Sequence, residues 1–136
     1  MKKVLIIILS LMSILIFCSC KSTNNSSLQG FYQSEMTRDG YVIQISIQPE
    51  EKSFVEYIDN RKVNAGTYDV LGDGKYKLIG NNQTIEIALD ENNSFEVLLK
   101  KVNDGNSIMM KNVGKVPAYF ETEFDDIGKY EALLEE

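Results

Sequence analysis

The 136 residues contain no histidine and no tryptophan, only two prolines, and no cysteine beyond Cys18 and Cys20. Without imidazole there is no histidine base, no Ser–His pairing and no histidine-bound metal. Without cysteine after residue 20, the remainder of the chain has no disulfide framework, thiol nucleophile or thiolate metal site. Positive charge is also scarce: 14 Lys and Arg stand against 20 Asp and Glu, a net of −6. A nucleic-acid binder needs a concentrated basic face, so that class is disfavoured. Lys100-Lys101 and Lys111 with Lys115 read as solvated strand faces. Carboxylates are the remaining route to catalysis, and Glu121, Glu123, Asp125 and Asp126 are the densest group. They read as surface charge near the positive end of a helix. Asp90-Glu91-Asn92-Asn93-Ser94 lacks the glycine and the closing glutamate of a calcium loop and reads as a turn. No catalytic residue, metal ligand or cofactor is assigned, and the chain reads as a non-enzyme.

The densest apolar run lies at the start. Met1-Lys2-Lys3 is basic, Val4 to Phe17 is apolar apart from Ser10 and Ser13, and Cys18-Ser19-Cys20-Lys21 ends the run. As a helix the run spans about 21 Å, short of the ~30 Å hydrocarbon core that a membrane span must cross. It fits the apolar region of a secretory signal. The cysteine after the small Ser19 resembles the lipobox of bacterial lipoproteins, with Phe17 and Cys18 departing from the usual residues at the two preceding places. The resemblance implies a signal over residues 1–19, lipidation at Cys20, and attachment to the outside of a bacterial cell membrane. Two or more acyl chains make such attachment stable, at about 0.8 kcal/mol per buried CH₂. Residues 20–29, with Ser22 to Ser27 all Ser, Thr or Asn, form a polar tether. Its reach is of order 15 Å over seven residues. Loss of Lys2 and Lys3 with the signal leaves 12 basic and 20 acidic residues, a net of −8. An anionic leaflet repels such a domain as a whole, so the lipid holds it there.

From residue 30 to about 113 the pattern alternates with period two and breaks at turn residues every eight to twelve positions. Tyr41, Ile43, Ile45 and Ile47 share one side, as do Ile85, Ile87 and Leu89, and then Phe95, Val97 and Leu99. Arg38-Asp39-Gly40, Asp59-Asn60-Arg61, Gly72-Asp73-Gly74, Gly80-Asn81-Asn82 and Asn103-Asp104-Gly105 are hairpin chemistry. Eight strands are predicted at about 30–36, 41–48, 53–59, 62–70, 75–80, 83–90, 94–102 and 107–113. Short connections favour an antiparallel meander, which hides its edges best by closing into a barrel. A two-sheet sandwich is the alternative. The third strand is ambiguous, because Phe54 and Ile58 point to one face while Val55 and Tyr57 point to the other. From Phe120 the spacing becomes three-four, through Phe124, Ile127, Tyr130 and Leu134. That predicts an amphipathic helix over 120–135, with Thr122 and Asp125 at capping-box spacing. It packs on the barrel wall or across one mouth, and Gly128 inside it marks a kink.

The order of elements resembles the small lipocalin-like lipoproteins of bacteria, and Gly30-Phe31-Tyr32 and Gly66-Thr67-Tyr68 are compatible with that. The lipocalin Gly-x-Trp signature is missing, so ligand binding does not follow from the likeness. Tyr32, Tyr41, Tyr57, Tyr68 and Tyr76 are the candidate ligand-binding set, each offering a flat apolar face and a hydroxyl. The opposing expectation is that they fill the interior with Phe31, Leu78, Ile108, Met110 and the strand residues above. An eight-stranded barrel is just wide enough for side chains or one small ligand. The expected function is a membrane-anchored, non-enzymatic module that meets an envelope or secreted protein. Binding of a small hydrophobic or aromatic ligand is the alternative.

Overall fold

The structure, a computed structural model, describes residues 27–135. The signal, Cys20 and most of the tether lie outside the described residues. Eight strands follow in order: β1 Gly30–Gln33, β2 Ile43–Gln48, β3 Ser53–Ile58, β4 Arg61–Gly72, β5 Lys75–Gly80, β6 Thr84–Ala88, β7 Phe95–Val97 and β8 Ile108–Gly114. All pairings are antiparallel, and the sheet runs β6-β5-β4-β3-β2-β1-β8-β7. The expected meander therefore holds from β1 to β6, and β1 joins β8 to curl the sheet into a nearly closed barrel. One seam stays unpaired, between β6 and β7. The Asp90–Ser94 turn spans it, with the Asp90 N–H donating to the Ser94 carbonyl at 2.8 Å. The Asp90 carboxylate accepts from the N–H groups of Asn92 and Ser94, both at 2.9 Å, so this segment is the turn it resembles.

Alternation explains most of the core. Ile43, Ile45 and Ile47 point inward and are fully buried, and Leu78, Ile87, Phe95, Val97, Ile108 and Met110 join them from other strands. Tyr32, not Phe31, is the inward residue of β1; Phe31 lies on the outer face, paired in register with Ser46. The ambiguity in β3 is resolved by Phe54, Glu56 and Ile58 facing in and Tyr57 facing out. Between Glu56 and Tyr57 the register with β4 slips by one, so that Val63 and Asn64 both turn inward. The β3–β4 hairpin turns at Asp59 and Asn60, whose φ values of 48° and 68° make the left-handed pair that such a short turn demands.

Both mouths are plugged by chain beyond the strands. At the mouth where β1 starts, Leu28 is buried in the core, and its N–H donates to the Tyr76 hydroxyl at 3.4 Å. Leu28, expected within the 20–29 tether, is thus held as part of the barrel core. At the other mouth, β7 is shorter than the expected 94–102. The chain turns after Val97, and Leu99 and Val102 fold into the core. Leu134 enters the same end from the C-terminus.

The C-terminal helix is also shorter than the 120–135 that its spacing suggests. Helix α1 covers Ile127–Glu131 and a 3₁₀ turn covers Ala132–Leu134. Residues 117–126 instead form an irregular strap over the outer face of β1, β2 and β3. Phe120 sits edge-on between Phe31 and Tyr57, with ring centroids 6.0 and 4.9 Å away. The Ser46 hydroxyl accepts from the Ala118 N–H at 3.1 Å and donates to the Ala118 carbonyl. The Phe120 N–H donates to the Tyr57 hydroxyl at 3.4 Å. Backbone groups bound to side chains in this way are not free to form a helical ladder. The Thr122/Asp125 capping box is not used, because the helix starts after Asp126, which makes no side-chain cap bond.

Candidate functional site

Arg61 fixes the end of the strap. Its guanidinium lies 3.9 Å from the Phe124 ring centroid and 4.6 Å from that of Tyr130. Nε and Nη2 donate to the two carboxylate oxygens of Asp126, each at 3.0 Å, and Nη1 donates to the Asp59 carbonyl at 2.8 Å. Arg61 pulls the Asp126 carboxyl below its usual range. A planar fork stacked between rings is a contact that lysine does not reproduce. Arg61→Lys is therefore expected to free the strap. Hydrogen exchange of amides 118–134 should accelerate roughly tenfold while those of β2 to β5 stay protected. Unchanged exchange in the strap would refute the assignment. Acid should act in the same direction. The depressed Asp126 carboxyl contributes stability above its unfolded value of about 3.8, and that contribution is lost as pH falls from there.

The five candidate tyrosines do not form one set. Tyr32, Tyr68 and Tyr76 gather toward the mouth that Leu28 plugs. Tyr68 and Tyr76 meet edge-on at 5.8 Å, and Tyr32 packs on Phe95 at 4.8 Å. The hydroxyls of Tyr32 and Tyr76 already serve the protein. Tyr32 donates to Asn93 Oδ1 at 3.0 Å and accepts from the Gln29 N–H at 3.3 Å, and Tyr76 accepts from Leu28. Burial raises the phenol pKa values of Tyr32 and Tyr68. Tyr41 stands at the opposite mouth against Tyr130, at 6.0 Å, and Tyr57 is outside the barrel beneath Phe120. Sequence spacing alone does not distinguish these places, since every tyrosine satisfies a half-buried strand pattern.

The one carboxyl in the interior of the described barrel escaped the sequence reading. Glu56 is wholly buried in β3, opposite Asn64 in β4. Gln83 Nε2 lies 3.1 and 3.0 Å from its two oxygens, and Asn64 Nδ2 lies 3.1 Å from Oε2. The Asn64 amide is oriented by its own bonds. Its Nδ2 also donates to the Gln83 carbonyl at 3.1 Å, and its Oδ1 accepts from the Asn82 N–H at 3.0 Å. A side chain at residue 80 would overlap Asn64, so Gly80 is the cradle for this amide. Burial pushes the Glu56 carboxyl pKa up, and the donors from Gln83 and Asn64 hold it back in part. The cluster binds the Gly80–Gln83 turn to the β4 bulge, and Gln83 lines a depression with Leu134. It contains no nucleophile with a base beside it. Glu121, Glu123 and Asp125 stand exposed on the strap, with Asp126 alone engaged. Among the described residues, no group of three or more Asp, Glu, His or Cys is placed to hold a metal ion.

Comparison with protein-family models, with curated proteins and with solved structures gives no match. Function must therefore be argued from the residues themselves.

Proposed function

We propose that this chain is a lipid-anchored envelope protein whose barrel is a non-enzymatic protein-interaction module, tied to the outside of a bacterial cell membrane through Cys20. The observation that carries this reading is the occupied interior. From Leu28 at one mouth to Leu134 at the other, the barrel is filled by its own side chains. The Tyr32 and Tyr76 hydroxyls and the Glu56 carboxyl are bonded to the protein's own groups. The outer faces and rims are then the surface through which it works. The buried Leu28 is compatible with this reading, since a tether from Cys20 would then meet the barrel at one mouth after eight residues.

Cys20→Ala is expected to leave an unmodified precursor that is not matured at the signal. Intact mass of the membrane fraction checks this, and a wild-type chain with a free Cys20 would end the anchor reading. Crosslinking of the wild-type protein in intact cells, followed by mass spectrometry, is expected to recover an envelope or secreted protein. Recovery of lipid alone would count against an interaction module.

A further inference from the structure

The outer face of β8 carries an exposed apolar row longer than the Val70–Leu71 pair, 58% and 52% exposed, near the end of β4. Its outward row is Met109, Lys111 and Val113, all exposed, with Met109 and Val113 at 39% and 58%. Met36 adjoins Met109 across a shallow groove at one end of the row, and Val116 and Tyr119 continue it at the other. These three are 72%, 76% and 52% exposed. Five large apolar side chains thus run along one side of a domain whose net charge is strongly negative. The charges on the stripe are nearly balanced: Lys111 pairs with Glu35 at 3.1 Å, Lys115 stands near the far end, and Glu96 and Glu50 lie at the edges. The strap covers the neighbouring outer face of β1 to β3 but leaves β8 bare. The position of the stripe also matters. Gln29, one residue after the buried Leu28, lines the same depression as Val116 and Tyr119, so the tether leaves the barrel beside the stripe.

We propose that the β8 stripe is the surface this domain lays against the phospholipid bilayer, so that the barrel rests on its side rather than swinging free. The inference rests on the anchor reading above. A tether of about eight residues spans at most roughly 28 Å, which keeps the stripe within reach of the bilayer that holds Cys20. Apolar side chains interleaved with lysine suit the interfacial zone, where stems lie among acyl chains and ammonium groups reach the headgroups. Because the charges nearly cancel, contact is driven by apolar burial and depends weakly on salt. Lying on β8 turns β4, four strands round the barrel, away from the membrane and toward partners.

The test uses the full chain, matured in bacteria, extracted and reconstituted in vesicles of phosphatidylcholine and phosphatidylglycerol. V113C on the stripe and D69C on the outward side of β4 are each labelled with a polarity-sensitive maleimide dye. The dye at position 113 should be quenched at least threefold more strongly by brominated lipid than the dye at position 69. Equal quenching at both positions would overturn the bilayer contact and leave the anchor intact, assigning the stripe to a protein or to solvent. The unsubstituted chain is the control for the anchor itself. A lipidated, processed chain takes up no dye, whereas labelling of Cys18 or Cys20 would remove the anchor and this inference together.

Discussion

Gly66→Ala lowers the stability of the barrel by about 3 kcal/mol or more, a fall in Tm on the order of 15 °C for a domain of this size. No backbone strain is involved, because Gly66 does not have a positive φ. The cause is space. A Cβ there would overlap the Ile79 carbonyl and lie 2.9 Å from the Gly80 Cα, both backbone atoms of the paired strand β5. Backbone yields less readily than a side chain, so the sheet must shift. Three further glycines separate the two ways a glycine can matter. Gly72 has open space and no positive φ, so Gly72→Ala is nearly neutral. Gly40 has a φ of +86° and open space, so Gly40→Ala shows the left-handed cost alone, about 1–2 kcal/mol. Gly30 has a φ of +84° and a Cβ site filled by the Gly114 carbonyl and by Lys115, so Gly30→Ala combines both penalties and is the most harmful of the four. Thermal unfolding followed by circular dichroism ranks them. A Gly66→Ala barrel as stable as the Gly72→Ala one would refute the crowding argument.

These glycines also explain the repeated Gly-x-Tyr, which at the level of sequence is only a likeness. In both copies the glycine admits a neighbouring backbone, the middle residue (Phe31 or Thr67) faces out, and the tyrosine two places on is buried, at 0% and 5% exposure. Strand alternation and turn chemistry were legible because each is local. Ile43, Ile45 and Ile47 need only their own spacing to choose a face, and Asp59-Asn60 needs only its own backbone. The strap was not legible, because Phe120 and Phe124 fit a helical stripe together with Tyr130 and Leu134. Their partners are Phe31, Tyr57 and Arg61, far away in sequence, and those contacts outweigh the local spacing. The closure of β1 on β8 and the unpaired β6–β7 seam are likewise long-range outcomes of curl and of the turn at Asp90. Glu56 was hidden for a further reason. An acid in Phe54-Val55-Glu56-Tyr57-Ile58 marks the solvent face under ordinary alternation, and only the carboxamides of Asn64 and Gln83 make the opposite face tolerable.

Glu56→Gln removes a pH dependence that the wild-type barrel shows. The carboxyl is wholly buried, and its pKa is raised above the unfolded value of about 4.5, chiefly by loss of hydration. The folded state therefore binds more protons than the unfolded state between those two values, and stability falls as pH rises through that window. Below about pH 4.5 both states are protonated and the penalty vanishes. This is the opposite sign to Asp126, so the two groups are distinguishable in one titration. The readout is the difference between wild-type and Glu56→Gln unfolding free energies from pH 4 to 8, since repulsion among the surface acids is common to both and cancels. That difference should move in favour of the glutamine variant as pH rises, by about 1–3 kcal/mol, the cost typical of a buried polar group whose partners do not fully replace water. Gln83 accommodates the change by turning its amide, offering an oxygen where it offered N–H donors. Glu56→Ala is different in kind. It leaves Gln83 Nε2 without the carboxylate and opens a void beside Asn64, and together these should lower stability by about 2–5 kcal/mol at every pH. If the wild-type and glutamine profiles run parallel from pH 4 to 8, Glu56 does not titrate in that range. Its role is then confined to fixing the β4 bulge and the Gly80–Gln83 turn.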